Sequence, residues 1–156
     1  MIVNLQRKIK IKAADYMPFL VAVRAAAEEV GGHFSVAFVS DKRMKDLNKF
    51  FRGKDSTTDV LSFPHKPDVF ETTEGGDLEV TGVLGSTEGF HVFLGDVVIS
   101  LEQAQRQAKE NKLTLEREIK QLILHGALHL CGYDHETDDG EMNARELELR
   151  ARLGID

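Results

Sequence analysis

The sequence predicts an α+β domain with α/β-type layers, in which helices pack on a mixed, mostly four-stranded sheet. Segments with the alternating pattern of strands are mixed along the chain with segments of helical periodicity. The chain has 156 residues, about the length of one domain, and it shows no internal repeat. We therefore expect residues 1–156 to form a single domain.

Four segments have the patterning of strands. The first runs from Val3 to Ile11, and Lys8, Lys10 and the following Lys12 share one polar face. The third is closed by Pro64, which has no amide hydrogen for a strand ladder. The predicted strands are residues 3–11, 34–39, 59–63 and 92–100.

Five segments have helical periodicity, with residues at their ends that start or stop helices. Asp15 is the expected N-cap of the first helix, and a short basic helix capped by Ser40 or Asp41 runs to about Phe51 and ends at Gly53. Asp138, with a glutamate three residues later, is expected to start the last helix. The other predicted ranges are residues 15–30, 101–110, 114–130 and 138–153, of which 114–130 is expected to be central.

The stretch from His65 to Phe90 has no clear periodicity and is rich in glycine, threonine and acidic residues. Long structureless loops are uncommon inside compact domains. We therefore expect either a hairpin around Leu78 to Leu84 or a flap.

The composition excludes several classes of protein. Apolar residues make up 42% and charged residues 29% of the chain, as in folded soluble proteins. The longest apolar run, Phe19 to Val23, is far shorter than the ~20 residues of a membrane-spanning helix, and the amino terminus turns polar too early for a signal peptide. The sequence thus predicts a cytoplasmic protein. Its one cysteine, Cys131, excludes an internal disulfide and cysteine-rich zinc modules.

Charge is distributed unevenly along the chain. The net charge is −6, yet residues 1–65 are net positive and residues 66–156 net negative. This asymmetry favours a basic working face, although chance variation in surface charge would give the same pattern.

Three of the six histidines, His125, His129 and His135, follow the spacing H-x3-H-x5-H. The first two are four residues apart on the predicted helix 114–130, so both rings project from one face. Gly132 stands where the helix would end in a left-handed conformation and would fold His135 back toward them. Three imidazoles with a fourth position left for water describe a catalytic zinc site.

Other interpretations of the histidines remain open at this point. Asp134 or Glu136 could supply a fourth ligand and close the site into a structural one, or the three histidines could be unrelated to metal. The spacing is also that of a zinc-protease motif, in which glutamate follows the first histidine as general base. That position is Gly126, and Glu118 lies ~10 Å away along the helix, so peptide hydrolysis is disfavoured.

The same residues resemble the YbeY family of bacterial endoribonucleases and rRNA maturation factors. Residues 125–135 match the family pattern H-G-x-L-H-L-x-G-Y-D-H at every fixed position. Residues 48–63 resemble the block N-x-x-[YF]-R-x-x-D-x-x-T-D-V-L-S-F, with Phe51 where tyrosine is common, and residues 94–100 resemble its L-G-D-I-x-I-S strand.

The resemblance implies a single-strand-specific, metal-dependent endoribonuclease in 16S rRNA 3′-end maturation and ribosome quality control. It implies one Zn²⁺ per chain, bound by His125, His129 and His135, and an Arg52 needed for activity. The implied partners are rRNA and the small ribosomal subunit with its proteins; neither a membrane nor DNA is expected as a partner.

A basic helix precedes Arg52 and adds candidate substrate-binding residues. A guanidinium can hold two non-bridging phosphate oxygens at once, so we expect Arg52 to be catalytic, together with His125, and to bind substrate with Lys49 and Lys45. The nucleophile stays open between a metal-activated water and the 2′-OH. The lysines could equally form a solvated helix face. Two other functions remain possible: a non-catalytic assembly factor with a structural metal, and a zinc hydrolase of peptide or amide bonds.

Overall fold

Four strands form one mixed sheet in the computed structural model, which describes residues 1–66 and 92–156. In the described part of the chain the strand order is β1-β2-β4-β3. β1, β2 and β4 are parallel, and β3 pairs with β4 antiparallel at the edge. The strands are β1 (Ile2–Asn4), β2 (His33–Val39), β3 (Val60–Pro64) and β4 (Phe93–Ser100). The predicted α+β class and mixed sheet are confirmed.

Three of the helices begin at a hydroxyl side chain that accepts a hydrogen bond from a backbone amide of the first turn. Ser40, Ser100 and Thr114 are these N-caps, and each satisfies an amide that has no partner within its helix. A 3-10 turn at Ala13–Tyr16 leads into α1. The helices are α1 (Met17–Ala26), α2 (Asp41–Arg52), α3 (Leu101–Glu110), α4 (Leu115–Leu130) and α5 (Glu141–Leu153).

Helix α4 is the centre of the larger core. It packs on β3 and β4 and is flanked by α1, α3 and α5. Its side chains at Ile119, Ile123 and Leu128 are fully buried. α2 covers the opposite face of the sheet, where Met44 packs in a smaller cluster with residues of the strands. The central position predicted for the histidine-bearing helix is confirmed.

The predicted first strand, 3–11, is wrong beyond Asn4. The side chain of Gln6 accepts a hydrogen bond from the amide of Ile9 at 2.9 Å and donates one to the carbonyl of Ile9 at 2.8 Å. This buried glutamine closes a turn, because its side chain takes the place of a strand partner. The alternating lysines therefore lie outside the sheet.

Two helices also have boundaries that differ from the prediction. Asp15 lies inside the 3-10 turn rather than at an N-cap, and α1 ends at Ala26 because Ala27 is extended and its carbonyl accepts from the amide of Val30. The last helix begins at Glu141 instead of Asp138. Asp138 still acts at its start, since its carboxylate accepts a hydrogen bond from the amide of Met142.

The predicted hairpin at residues 78–84 lies outside the described residues. Among residues 1–66 and 92–156, no helix combines the length and the apolar character needed to cross a membrane.

Candidate metal centre and cleft

The end of α4 sets the geometry of the site. Gly132 has a φ of +96°, a left-handed conformation that favours glycine. Its amide donates to the carbonyl of His129, and the amide of Tyr133 donates to that of Leu128. This pair of hydrogen bonds is a Schellman motif, which reverses the chain after the helix. The predicted stop at Gly132 is confirmed.

The reversal brings the three histidines together. One potential ligand atom from each of His125, His129 and His135 lies within 4.8 Å of the others. The Nδ1 of His135 is 3.1 Å from the Nε2 of His129. Two nitrogens that bind one zinc ion at tetrahedral angles lie roughly 3.4 Å apart, so this separation suits a shared ion.

Backbone structure fixes the ring of His129. Its Nδ1 lies 2.9 Å from the carbonyl oxygen of Tyr133, and because a carbonyl only accepts, Nδ1 carries the hydrogen and Nε2 has the free lone pair. Burial, reinforced by the neighbouring His125, lowers the pKa of His129. The neutral ring is the form that binds a metal.

A carboxylate on α5 fixes the ring of His125 in the same way. Its Nδ1 is 3.0 Å from Oε1 of the buried Glu146. Burial alone would raise the pKa of Glu146, but its hydrogen bond to His125 and the charge of Arg150 outweigh burial and lower it. The glutamate is therefore ionised, and it accepts the Nδ1 hydrogen and leaves Nε2 of His125 for a ligand.

The donor set fits a metal ion. All three donors are imidazoles, which suit zinc but also copper, iron and nickel, and two of the rings have their second nitrogen held by a hydrogen bond. Ligand histidines almost always have such an outer partner. His125, His129 and His135 would hold the ion.

The described residues form this cluster from three histidines without a carboxylate. Asp134, a candidate fourth ligand, accepts a hydrogen bond from the amide of Glu136 at 3.0 Å, and its carbonyl accepts from the amides of Thr137 and Asp138. It therefore caps the turn that carries His135. Glu136 lines the adjoining cleft but is not part of the cluster.

A cleft of about 600 Å³ opens beside the histidines. Arg52, the last residue of α2, and Lys54 contribute cationic side chains to it, and β3 contributes Ser62 and Pro64. The left-handed Gly53 ends α2 directly after the exposed Arg52, which lines the cleft. The structure thus places Arg52 and the three histidines around one space.

The two candidate lysines lie farther back on α2. Lys45 and Lys49 are exposed and share a helix face with Arg52, since they lie seven and three residues before it. Lys45 has a carboxylate oxygen of Asp55 at 3.8 Å. Neither lysine lines the cleft, and their proposed contact with substrate stays a prediction.

Two carboxylates of the matched segments 48–63 and 94–100 have structural roles. Asp96 lies on the sheet face opposite α4, where it accepts a hydrogen bond from Ser35. Asp59 lines the cleft, but its carboxylate accepts from its neighbours Thr58 and Val60 and so shapes the turn into β3.

Glu146 should matter for metal affinity. Glu146→Gln removes the charge that holds His125, and we expect the dissociation constant of zinc to rise about 10- to 100-fold. Competition with a chromophoric chelator measures this change. Glu148→Gln, which alters an exposed ion pair on the same helix, is the matched control. Equal zinc affinity of Glu146→Gln and wild type would contradict the role of Glu146.

The fold and the site together define an α+β domain with a three-histidine candidate metal centre beside a polar cleft that Arg52 also lines. The sequence model of the family described as "Endoribonuclease YbeY" matches residues 2–154. The chain belongs to the YbeY endoribonuclease family, and the resemblance seen in its motifs is confirmed.

Relatives and a solved structure agree with this assignment. The chain is 37% identical over 155 residues to "Endoribonuclease YbeY" of Bacillus thuringiensis (strain Al Hakam), covering 98% of this chain and 87% of that protein. It is 39% identical over 140 residues to the protein of the same name from Geobacillus thermodenitrificans, covering 87% and 83%. The solution structure of TM1509 from Thermotoga maritima is similar, with a TM-score of 0.53, 27% identity, and coverage of 98% and 89%.

Proposed function

We propose that this protein is a zinc-dependent, single-strand-specific endoribonuclease that matures the 3′ end of 16S rRNA and acts in ribosome quality control. Its partners are then rRNA and the small ribosomal subunit with its proteins, and it works in the cytoplasm. The observation that carries the proposal is the convergence of three imidazoles, two of them held by outer hydrogen bonds, on a cleft that also holds Arg52. Membership of an endoribonuclease family favours RNA as the substrate.

The histidines hold the metal in this proposal, and the surrounding residues hold the histidines. Glu146 and the carbonyl of Tyr133 keep the two helix-borne rings oriented. A bound zinc ion supplies Lewis acidity, which polarises a phosphoryl oxygen or lowers the pKa of water.

Arg52 acts on the phosphodiester. Cleavage increases negative charge on the non-bridging oxygens, and the planar guanidinium can donate to two of them. Its position at the end of α2 leaves its side chain exposed at the cleft, so it can meet a phosphate of an extended strand.

The proposal is tested by metal analysis and a single-turnover cleavage assay. The substrates are a single-stranded RNA with the sequence around the 16S 3′ end and the same RNA in a duplex. We expect one zinc per chain, cleavage of the single strand only, loss of cleavage on chelation, and recovery on adding zinc. Cleavage that survives complete metal removal would refute the metal-dependent function. Turnover of a peptide library without RNA cleavage would indicate a hydrolase of another bond.

Arg52→Ala distinguishes a catalytic metal site from a purely structural one. We expect its cleavage rate to fall about 10²- to 10³-fold, because a transition-state donor of this kind is lost, while zinc content stays at the wild-type level. The cleavage rate of Arg52→Lys should lie between those of wild type and Arg52→Ala, since lysine keeps the charge but not the paired donors. Arg43→Ala, on the same helix but not lining the cleft, is the control. Unchanged rRNA processing by Arg52→Ala would support a non-catalytic assembly factor.

A further inference from the structure

A row of aromatic rings, exposed except for the half-buried Phe63, runs from the end of α2 across the adjoining sheet face. The rings of Phe50 and Phe51 meet edge to face with centroids 4.8 Å apart, and Phe51 meets Phe63 at 4.9 Å. At the other end the rings of His65 and Phe93 are 5.4 Å apart. Phe63 and His65 are two residues apart on paired backbone, so they point to the same face. We call this row the aromatic strip; its members are Phe50, Phe51, Phe63, His65 and Phe93.

Phe63 packs partly against the smaller core cluster, but folding does not account for the exposure of the three other phenylalanines. Phe50 is 81% exposed, Phe51 57% and Phe93 41%. Phenylalanine is among the residue types most often fully buried, and contiguous exposed apolar surface marks a binding site. The strip is therefore a candidate contact surface.

Positive charge borders the aromatic strip. Lys49 precedes Phe50, Arg52 follows Phe51, and Lys66 follows His65 along the chain, and all three cations are exposed. A carboxylate also lies on this sheet face: Asp96, opposite Phe63, accepts a hydrogen bond from Ser35. It repels phosphate at that point, so a nucleic acid would place its phosphates along the cations and its bases on the rings.

The chemistry of the strip matches unpaired nucleobases. Every base has a π-face that stacks on an aromatic ring, and a cationic border that follows the backbone is the usual companion of such rings in single-strand binders. Aromatic residues on an open sheet face bind RNA in this way. Duplex bases are stacked on one another and do not present these faces.

Resting on the proposed function, we infer that the aromatic strip binds unpaired bases of the RNA substrate next to the nucleotide whose phosphate lies at Arg52. Arg52 belongs to both surfaces, because it lines the cleft and directly follows Phe51. The strip then contributes to the preference for single strands, since only splayed bases reach the rings.

Phe50 allows a clean test, because its side chain is almost fully exposed and the chain contains no tryptophan. Phe50→Trp introduces a single indole whose fluorescence reports stacking. The probes are a single-stranded oligoadenylate and an oligomer of equal length with abasic riboses, mixed in a stopped-flow instrument so that binding is read before cleavage. We expect quenching of Phe50→Trp by oligoadenylate and not by the abasic oligomer.

Alanine variants measure how much each ring contributes to the affinity for oligoadenylate. Phe50→Ala and Phe93→Ala should each weaken oligoadenylate binding on the order of tenfold, the effect of losing one stacked ring. The slope of affinity against salt should not change, because the phosphate contacts remain. Val21→Ala, which truncates a 61% exposed apolar side chain on α1, is the matched control and should bind as wild type does.

The outcomes separate this inference from the proposed function. If both alanine variants bind and cleave single-stranded RNA as wild type does, the inference is overturned while the nuclease function stands. If both keep RNA binding but lose association with ribosomal proteins, the strip is a protein-binding surface and the inference is again overturned. If the wild type binds oligoadenylate and the abasic oligomer equally, no base contact exists. Absence of metal-dependent RNA cleavage by the wild type would instead refute the proposed function itself.

Discussion

His129→Ala is expected to abolish both stoichiometric zinc binding and RNA cleavage. His129 contributes the central ring of the cluster: its Nε2 faces His135, and its Nδ1 is held by the carbonyl of Tyr133. Two remaining imidazoles cannot hold zinc as three do. Because the metal supplies several kcal/mol of transition-state stabilisation, we expect the cleavage rate to fall about 10³-fold or more. Atomic emission and single-turnover kinetics on the same preparation measure the two effects.

The thermal melting curve of His129→Ala distinguishes an open catalytic site from a structural one. The core of this domain consists of buried residues from the sheet and from α1, α3, α4 and α5, so it does not need the metal to fold. A variant that loses zinc should therefore still unfold cooperatively. His33→Ala, which changes an exposed histidine outside the cluster, should keep both zinc and activity. Wild-type zinc content in His129→Ala would contradict the assignment of this ligand.

The histidine cluster was predictable because its determinants are local. A four-residue spacing on a helix places His125 and His129 on one face, and a glycine just after the helix end allows the reversal that returns His135. These rules act within eleven residues and do not depend on tertiary contacts. The structure confirms both the helix and its left-handed Gly132.

Glu146 was missed because its role depends on tertiary packing. It lies 21 residues after His125, on a helix whose docking against α4 no local pattern specifies. The carboxylates that the sequence did point to near the histidines, Asp134 and Glu136, were candidate fourth ligands, and Asp134 is occupied in capping its own turn. One available signal was a glutamate at a buried position of a mostly polar helix, because such a charge requires a partner.

The error in the first strand has a local origin instead. An alternating pattern predicted a strand up to Ile11, yet the side chain of Gln6 bonds to both backbone groups of Ile9 and ends the strand early. An alternating sequence pattern determines which side chains of a strand face the core only where that face is buried in the sheet. Within residues 1–66 and 92–156, β1 pairs with one strand, β2, through three residues. The local side-chain hydrogen bonds therefore override the pattern.

Gly126 explains why this site lacks the general base of zinc proteases, and its replacement should destabilise the fold strongly. A Cβ built on Gly126 would lie 2.5 Å from Cγ1 of Val97, 3.0 Å from its Cγ2 and 3.3 Å from Oγ of Ser62. Ser62 also donates a hydrogen bond to the carbonyl of Gly126 at 3.1 Å. The backbone of α4 therefore lies directly against β3 and β4, with no room for a side chain between helix and sheet.

Gly126→Ala should lower the free energy of unfolding by about 3 kcal/mol or more, because Val97 is fully buried and overpacking a dense core is costly. For a domain of this size the melting temperature should fall by roughly 6–12 °C. Calorimetry of the zinc-free protein measures this loss independently of the metal. Gly31→Ala is the control, since its Cβ would meet no atom within 4 Å and should change stability by less than about 0.5 kcal/mol.

A double variant identifies the cause of the stability loss in Gly126→Ala. Gly126→Ala combined with Val97→Ala should recover part of the lost stability, because removing the valine methyl groups makes room for the new Cβ, and the two effects should be clearly non-additive. Strictly additive losses would show that the glycine is needed for some reason other than its contact with Val97. The glutamate of a zinc protease at this position would require the same space and more. Close packing of helix on sheet thus excludes that base, and the proton transfer in this site must come from elsewhere in the cleft or from the substrate.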